Sequence, residues 1–236
     1  MSVPRPPAGA RGWAQGGSWA QGGSWAQGAG GVVAAYGVDL GGTKVLAVAV
    51  GPDGDVLAER RAPTPRPATG AGTGETAGTL ADAVAALLDE VRVDVVAQER
   101  GVVASHGEVP IGIGVAGLVD GEGVVALSPH LPCARGARLG QLVASRLDTG
   151  RRATAAPIRA HNDANCAAFA ELRLGSARGM RDGVVITLGT GIGGALVRDG
   201  RVHPGARSFA GEVGHMVVDP KGPPCPCGGR GCWEQY

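Results

Sequence analysis

Residues 32–59 read VVAAYGVDLGGTKVLAVAVGPDGDVLAE, three apolar runs separated by two glycine-bearing turns. The runs cover 32–40, 45–50 and 56–59, and the turns are Gly41-Gly42-Thr43 and Pro52-Asp53-Gly54-Asp55. Val-rich runs of this length are strand-like. Gly-Gly and Asp-Gly supply the positive-φ positions of tight hairpins, so the spacing predicts a three-stranded meander. The second half repeats the order: an apolar run at 184–188, the turn Gly189-Thr190-Gly191-Ile192-Gly193-Gly194, a run at 195–198 and an Asp199-Gly200 turn. Two β-units built to one plan predict an α/β protein of two related lobes, each offering a glycine turn to one cleft. Backbone amides exposed on such turns form an anion-binding concavity, and two facing one cleft suit a nucleotide phosphate tail.

Between the two units, residues 63–74 are rich in Pro, Thr and Gly and read as a loop. Ala77, Leu80, Ala81, Val84, Leu87, Leu88 and Val91 then recur at helical spacing, predicting a helix over 75–93. Strands are expected at 110–115 and near 118–119, with the turn Ala116-Gly117 between them. Helices are expected at 139–147 and at 164–174, the last closed by Gly175. Ahead of all this, Trp13-Ala14-Gln15-Gly16-Gly17-Ser18 recurs from Trp19 and, incompletely, from Trp25. So short a Gly/Ser-rich repeat buries no core. It reads as a disordered tail or as sequence brought in by a misplaced start codon. The expected organisation is a tail over 1–34, a first lobe over 35–160, and the start of a second lobe over 161–236.

A chain of 236 residues suits one large domain or two small lobes. Its 22 basic and 21 acidic residues leave a formal charge of +1, with no electrostatic footprint for nucleic acid or a membrane surface. No apolar run reaches the roughly 20 residues of a spanning helix. The expected partner is therefore a small molecule. Five Cys, an odd number, favour metal binding and a reducing cytoplasm over a disulfide framework.

The chemistry-bearing residues fall in three groups. Asp39 precedes Gly41-Gly42-Thr43-Lys44, where a carboxylate can hold Mg²⁺ while the turn amides and the Thr43 hydroxyl meet phosphate oxygens. Alone, it is equally an Asp capping an ordinary hairpin; the second turn, Gly189-Thr190-Gly191, favours the phosphate reading. Asn162-Asp163 opens a predicted helix, either as a plain N-cap or with Asp163 as a general base that the helix end keeps ionised. Finally, Gly211-Glu212-Val213-Gly214-His215 and Cys225-Pro226-Cys227-Gly228-Gly229-Arg230-Gly231-Cys232-Trp233-Glu234 place one His and three Cys at metal-ligand spacing. Three thiolates and one imidazole close a tetrahedral Zn²⁺ shell, which reads as structural rather than catalytic. If His215 and Cys232 share an ion, Glu212 and Glu234 are drawn together as acceptors for several hydroxyls, as a sugar requires; otherwise they are solvated loop charges. Cys133 and Cys166 read as inert buried thiols.

With these residues in place the chain resembles the ROK family of sugar kinases and sugar-responsive repressors, and among its members the bacterial glucokinases. The carrying motifs are residues 39–44, 112–120, 162–165, 188–194 and 211–215 with the final Cys cluster. The resemblance implies an actin-like, ribonuclease-H-like pair of lobes. It also implies ATP-dependent phosphorylation of a hexose, glucose foremost, at its 6-hydroxyl. It implies Asp163 as catalytic base, Asn162, Glu212, His215 and Glu234 as sugar contacts, and His215, Cys225, Cys227 and Cys232 as zinc ligands. A homo-oligomer is expected of the full-length protein. Three departures stand out: His161 where the family usually has an acid, His130 where it usually has Asn, and a chain that stops at Tyr236. Relatives continue through an adenosine-contacting segment and a closing helix, so a fragment of low stability or activity is expected. Repressors of the family carry a winged helix-turn-helix ahead of this region; residues 1–34 are too short and glycine-rich for one. Asp163 together with the Asp39 motif favours catalysis, with polyphosphate as an alternative donor to ATP.

Overall fold

The computed structural model describes residues 32–66, 73–97, 109–147, 158–189 and 191–236. The Trp-containing repeat, residues 67–72 of the predicted loop, and Thr190 lie outside the described residues. β1 (Ala35–Leu40), β2 (Lys44–Val50) and β3 (Val56–Pro63) form the expected antiparallel meander, with Val38 opposite Ala47. The core begins before β1: Val33 is buried and the Ala34 N–H donates to Val50 O, so the last residues assigned to the tail belong to the folded unit.

α1 (Thr73–Ala97) carries the chain back across the sheet, as a parallel neighbour of β1 requires. β4 (Ile111–Val115) then lies parallel to β1. β5 (Leu118–Val119) and β6 (Val125–Leu127) pair as a separate ribbon, and α2 (Leu139–Leu147) packs on α1. β7 (Ile158–Asn162) completes a five-stranded sheet of order β3-β2-β1-β4-β7. All seven apolar positions read as the core stripe of α1, from Ala77 to Val91, are buried. Each Leu so buried contributes roughly 1.5–3 kcal/mol. Six of the seven, from Leu80 to Val91, meet Tyr36, Leu40, Val45, Ile113, Val115, Leu139 and Val143 in one core.

α3 (Asp163–Arg173) leaves the first sheet directly from Asn162 and packs on a second sheet of β8 (Gly183–Leu188), β9 (Ile192–Arg198) and β10 (Arg201–Val202). Its order is β10-β9-β8, antiparallel throughout, matching the predicted second unit. Asp199 and Gly200 both take positive φ, 51° and 74°, as an Asp-Gly hairpin turn needs. β9 starts earlier than expected, absorbing Ile192-Gly193-Gly194 into the strand.

One physical expectation fails. Gly41 and Gly42 are not among the positive-φ glycines, whereas Gly54 of the Asp-Gly turn is, at 86°. Close approach marks two turn glycines instead: a Cβ at Gly42 would lie 2.7 Å from His130 Cβ, and one at Gly191 would lie 2.8 Å from Glu234 Oε2. Gly175 likewise does not take the left-handed helix-ending conformation. Leu174 caps α3, and a Cβ at Gly175 would collide with Glu171. Among the described residues no helix is long and apolar enough to cross a membrane.

Candidate active site

Strand alternation buries Val38 and Leu40 and turns Asp39 to the opposite, exposed face, at the end of β1 that leads into the first glycine turn. That turn is braced from within its own unit. The Gly41 N–H donates to Lys44 O, the buried Thr64 hydroxyl donates to Gly41 O at 2.7 Å, and the Thr64 N–H donates to Thr43 O. Partial burial raises the Asp39 carboxyl above its ordinary value, against the pull of Lys44.

The neighbouring strand lies in contact with α3. A Cβ at Gly114, which pairs with Asp39, would sit 3.6 Å from Asp163 Cα and 3.7 Å from Cys166 Sγ. The first turn of α3 therefore comes close against β4 beside β1. Asn162 is the N-cap of α3: its Oδ1 accepts from the Asn165 N–H at 2.9 Å while its Nδ2 donates to Gly117 O at 3.0 Å. Buried Ser128 holds the same turn, donating to Ala116 O at 2.6 Å and accepting from the Leu131 N–H. Asn162 is thus both the plain cap and a tether of the β4–β5 turn.

Asp163 takes the Ala164 N–H on Oδ1 at 2.8 Å, as expected of a helix start. Its carboxyl is nonetheless raised: burial outweighs the Ala164 N–H, the charge of Asp39 adds to the rise, and His130 works against it. The helix end alone predicts the opposite direction. Desolvation costs a buried charge more than a single N–H returns. Nearby Cys166 is pushed up to about 12 by burial and by Asp163 and Asp39, an inert thiol, and burial raises Cys133 as well. His161, one residue before Asn162, is lowered by burial and Arg159, which favours its neutral form.

Glu212 is raised by burial, then by Asp163 and Glu234, with His215 opposing. Through-space charge thus runs from Asp39 to Asp163 to Glu212 to Glu234, joining residues that lie far apart in sequence. Glu234 Oε1 accepts from Cys225 Sγ at 3.2 Å and lies 3.3 Å from His215 Nδ1.

The ligand atoms of His215, Cys225, Cys227 and Cys232 all lie within 4.8 Å of one another. Tetrahedral Zn–S bonds of ~2.3 Å give an S–S edge of about 3.8 Å. Cys227 Sγ and Cys232 Sγ are 3.7 Å apart, and Cys225 Sγ and His215 Nδ1 are also 3.7 Å apart. The donor set and its spacing therefore fit zinc. Gly228 (φ 93°) and Gly231 (φ 64°) turn the backbone around the cluster in the left-handed region.

The structure brings together Asp39, Asp163, Glu212, His215 and Glu234; Gly41, Gly42, Thr43 and Lys44 follow Asp39 in the chain, and Gly191, whose carbonyl accepts from the Gly189 N–H, lies against Glu234. Thr190, assigned to the second turn, lies outside the described residues. Thr64 and Ser128 were missed: each is an isolated hydroxyl in a loop, with no sequence pattern to mark it.

A meander-led sheet of order 3-2-1-4-7 and a second antiparallel meander joined to it through α3 define an actin-like α/β fold of the sugar-kinase type. A family model described as "ROK family" matches residues 35–236, and the chain belongs to that family. It is 34% identical over 201 residues to a glucokinase of Streptomyces coelicolor, covering 85% of this chain and 55% of that protein. It is also 34% identical over 198 residues to an N-acetylmannosamine kinase of Escherichia fergusonii, covering 84% and 58%. A ROK family glucokinase from Streptomyces griseus, crystallised with glucose and AMPPNP, superposes with TM-score 0.68 at 35% identity over 86% of this chain and 56% of that one. A ROK family transcriptional regulator, a homolog of the E. coli MLC protein, superposes with TM-score 0.67 at 26% identity, covering 87% and 46%. The chain spans a little over half the length of these curated relatives.

Proposed function

We propose that this protein transfers the γ-phosphoryl group of ATP to the 6-hydroxyl of a hexose, glucose foremost, with Asp163 as the general base. The observation that carries the reading is the pairing of Asp163 with Asp39 between the first glycine turn and α3, each carboxyl raised by burial and Asp163 further raised by Asp39. A carboxylate raised toward neutrality is a better proton acceptor for a hydroxyl that is bonding to phosphorus. Asp163 would take that proton on its free carboxylate oxygen, since Oδ1 is engaged by the Ala164 N–H. Lys44 and the amides around Gly41-Gly42-Thr43 and Gly189-Thr190-Gly191 would receive phosphate oxygens, and Asp39 would hold Mg²⁺. The metal would neutralise charge on the transferring group.

Glu212 and His215 would accept and donate to sugar hydroxyls, joined by Glu234 and by the second Nδ2–H of Asn162. His215, Cys225, Cys227 and Cys232 would hold zinc, which braces the loop and leaves the proton transfer to Asp163. N-acetylmannosamine is the rival sugar, because relatives acting on either sugar are equally similar. The likeness to a regulator of the same family makes sugar sensing the second reading, and the two paired carboxylates favour catalysis over it. The test is ATP-dependent phosphorylation of glucose, mannose and N-acetylmannosamine by the protein and by Asp163→Asn. The variant should lose about 10²–10⁴-fold in turnover; unchanged turnover removes the assignment.

A further inference from the structure

We propose that Glu234 is a positioning residue that couples the His/Cys cluster to the second glycine turn, so that metal retention and the shape of the turn depend on each other. This rests on reading the cluster as a zinc site and the turn as a phosphate-binding element. The Glu234 side chain is only 14% exposed, and its two oxygens face different structures. Oε1 lies at the cluster, 3.2 Å from Cys225 Sγ and 3.3 Å from His215 Nδ1, and accepts from Gln235 Nε2 at 3.4 Å. Oε2 bears on the turn, at 2.8 Å from where a Cβ on Gly191 would stand.

The backbone nearby is just as close. The loop that carries Glu212 and His215 lies directly on β9, the strand that follows the turn. A Cβ at Gly194 would meet Gly211 O at 2.7 Å and Val213 Cγ2 at 2.6 Å, and one at Gly214 would overlap Ile192 O. Contacts of backbone on backbone leave no flexible side chain to absorb a displacement, and close-packed interiors transmit strain. With the backbones of β9 and the loop fixed in this way, the Glu234 carboxylate has the cluster on one side and Gly191 on the other, and a Cβ added at Gly191 displaces it toward Cys225 and His215. The first turn has no such dependence, being braced by Thr64 of its own unit.

The test is a double-mutant cycle on zinc release from the purified, zinc-loaded chain challenged with a chromogenic chelator. In the wild-type background Gly191→Ala should speed zinc removal about fivefold. In Glu234→Asp, one methylene shorter, the added methyl has room, and the same substitution should change the rate less than about twofold. Equal acceleration in both backgrounds, or none in either, overturns the proposal. Should Gly191→Ala fail to fold, hydrogen exchange at the Gly191 amide decides: zinc removal should speed it about tenfold in the wild type and leave Glu234→Asp insensitive. Equal sensitivity in both overturns the coupling. A chain that takes up no zinc overturns this proposal and leaves the Asp163 test intact. Unchanged turnover in Asp163→Asn removes the catalytic reading and leaves the zinc rates standing.

Discussion

β1 lies between β2 and β4 with α1 packed over the sheet beside it, whereas β8, among the described residues, pairs with β9 alone. Both strands lead into a glycine turn, but their surroundings differ. The first unit buries Val38, Leu40, Ala47, Ile113 and the α1 stripe in one continuous core. In the second, α3 covers the Val185 face of β8, while Val184, Ile186 and Leu188 on the other face are 47%, 46% and 77% exposed. Related β-units therefore draw stability from different sources. The first rests on hydrophobic burial, and the second leans on α3 and on the His/Cys loop packed against β9.

The largest expected effect tests the first half of that contrast. Leu88→Ala, at a fully buried position on α1, should cost about 2–5 kcal/mol in denaturant unfolding. A loss below about 1 kcal/mol would show that the first core is less tightly packed than its burial implies. Next, stripping metal with a chelator should speed hydrogen exchange in β8, β9 and residues 211–235 by about tenfold or more, leaving β1, β2 and β4 protected. Uniform acceleration across both sheets would erase the contrast.

A third outcome concerns the acids at the boundary. The carboxyls of Asp163 and Glu212 are raised from ordinary values of 3.8 and 4.5. The folded state then binds more protons than the unfolded state between those ordinary values and the raised ones. Stability should fall as pH rises through that window, while activity, if Asp163 is the base proposed above, should fall as pH drops through it. Asp163→Asn should accordingly stabilise the chain at neutral pH, by on the order of 1 kcal/mol, while abolishing most turnover. Unfolding midpoints against pH for the two proteins check the sign. The smallest effect belongs to the open face of β8: Ile186→Thr should shift stability by no more than about 0.5 kcal/mol. A loss comparable to that of Leu88→Ala would mean that the face is covered in solution.

Much of this was legible in the residues. The turns and runs of 32–59 gave the meander, and the 3.6-residue stripe of α1 gave the packing face. The His and Cys spacing gave the cluster. β6 and β7 were not legible. β6 has three residues, and β7 (Ile158–Asn162) carries Arg159 and His161 and buries only Ala160 and Asn162, so neither has a period to detect. The glycine turns were recognised for the wrong physical reason. The required space at Gly42 and Gly191 comes from His130 and Glu234, partners distant in sequence. The same limit hid Thr64 and Ser128, whose hydroxyls matter only because folding brings Gly41 O and Ala116 O to them.

Taken alone, the sequence determined what depends on neighbours along the chain: the meanders, the helices with their buried faces, and one His and three Cys at a spacing that suits a metal. Tertiary structure alone decided how Asp39, Asp163, Glu212 and Glu234 share one electrostatic site, and that burial overrides the helix end in setting the direction of Asp163. Periodicity and turn chemistry act over a few residues and leave a trace in the order of amino acids. Desolvation and Coulomb interaction act through space, and their magnitude exists only once distant segments have been packed together.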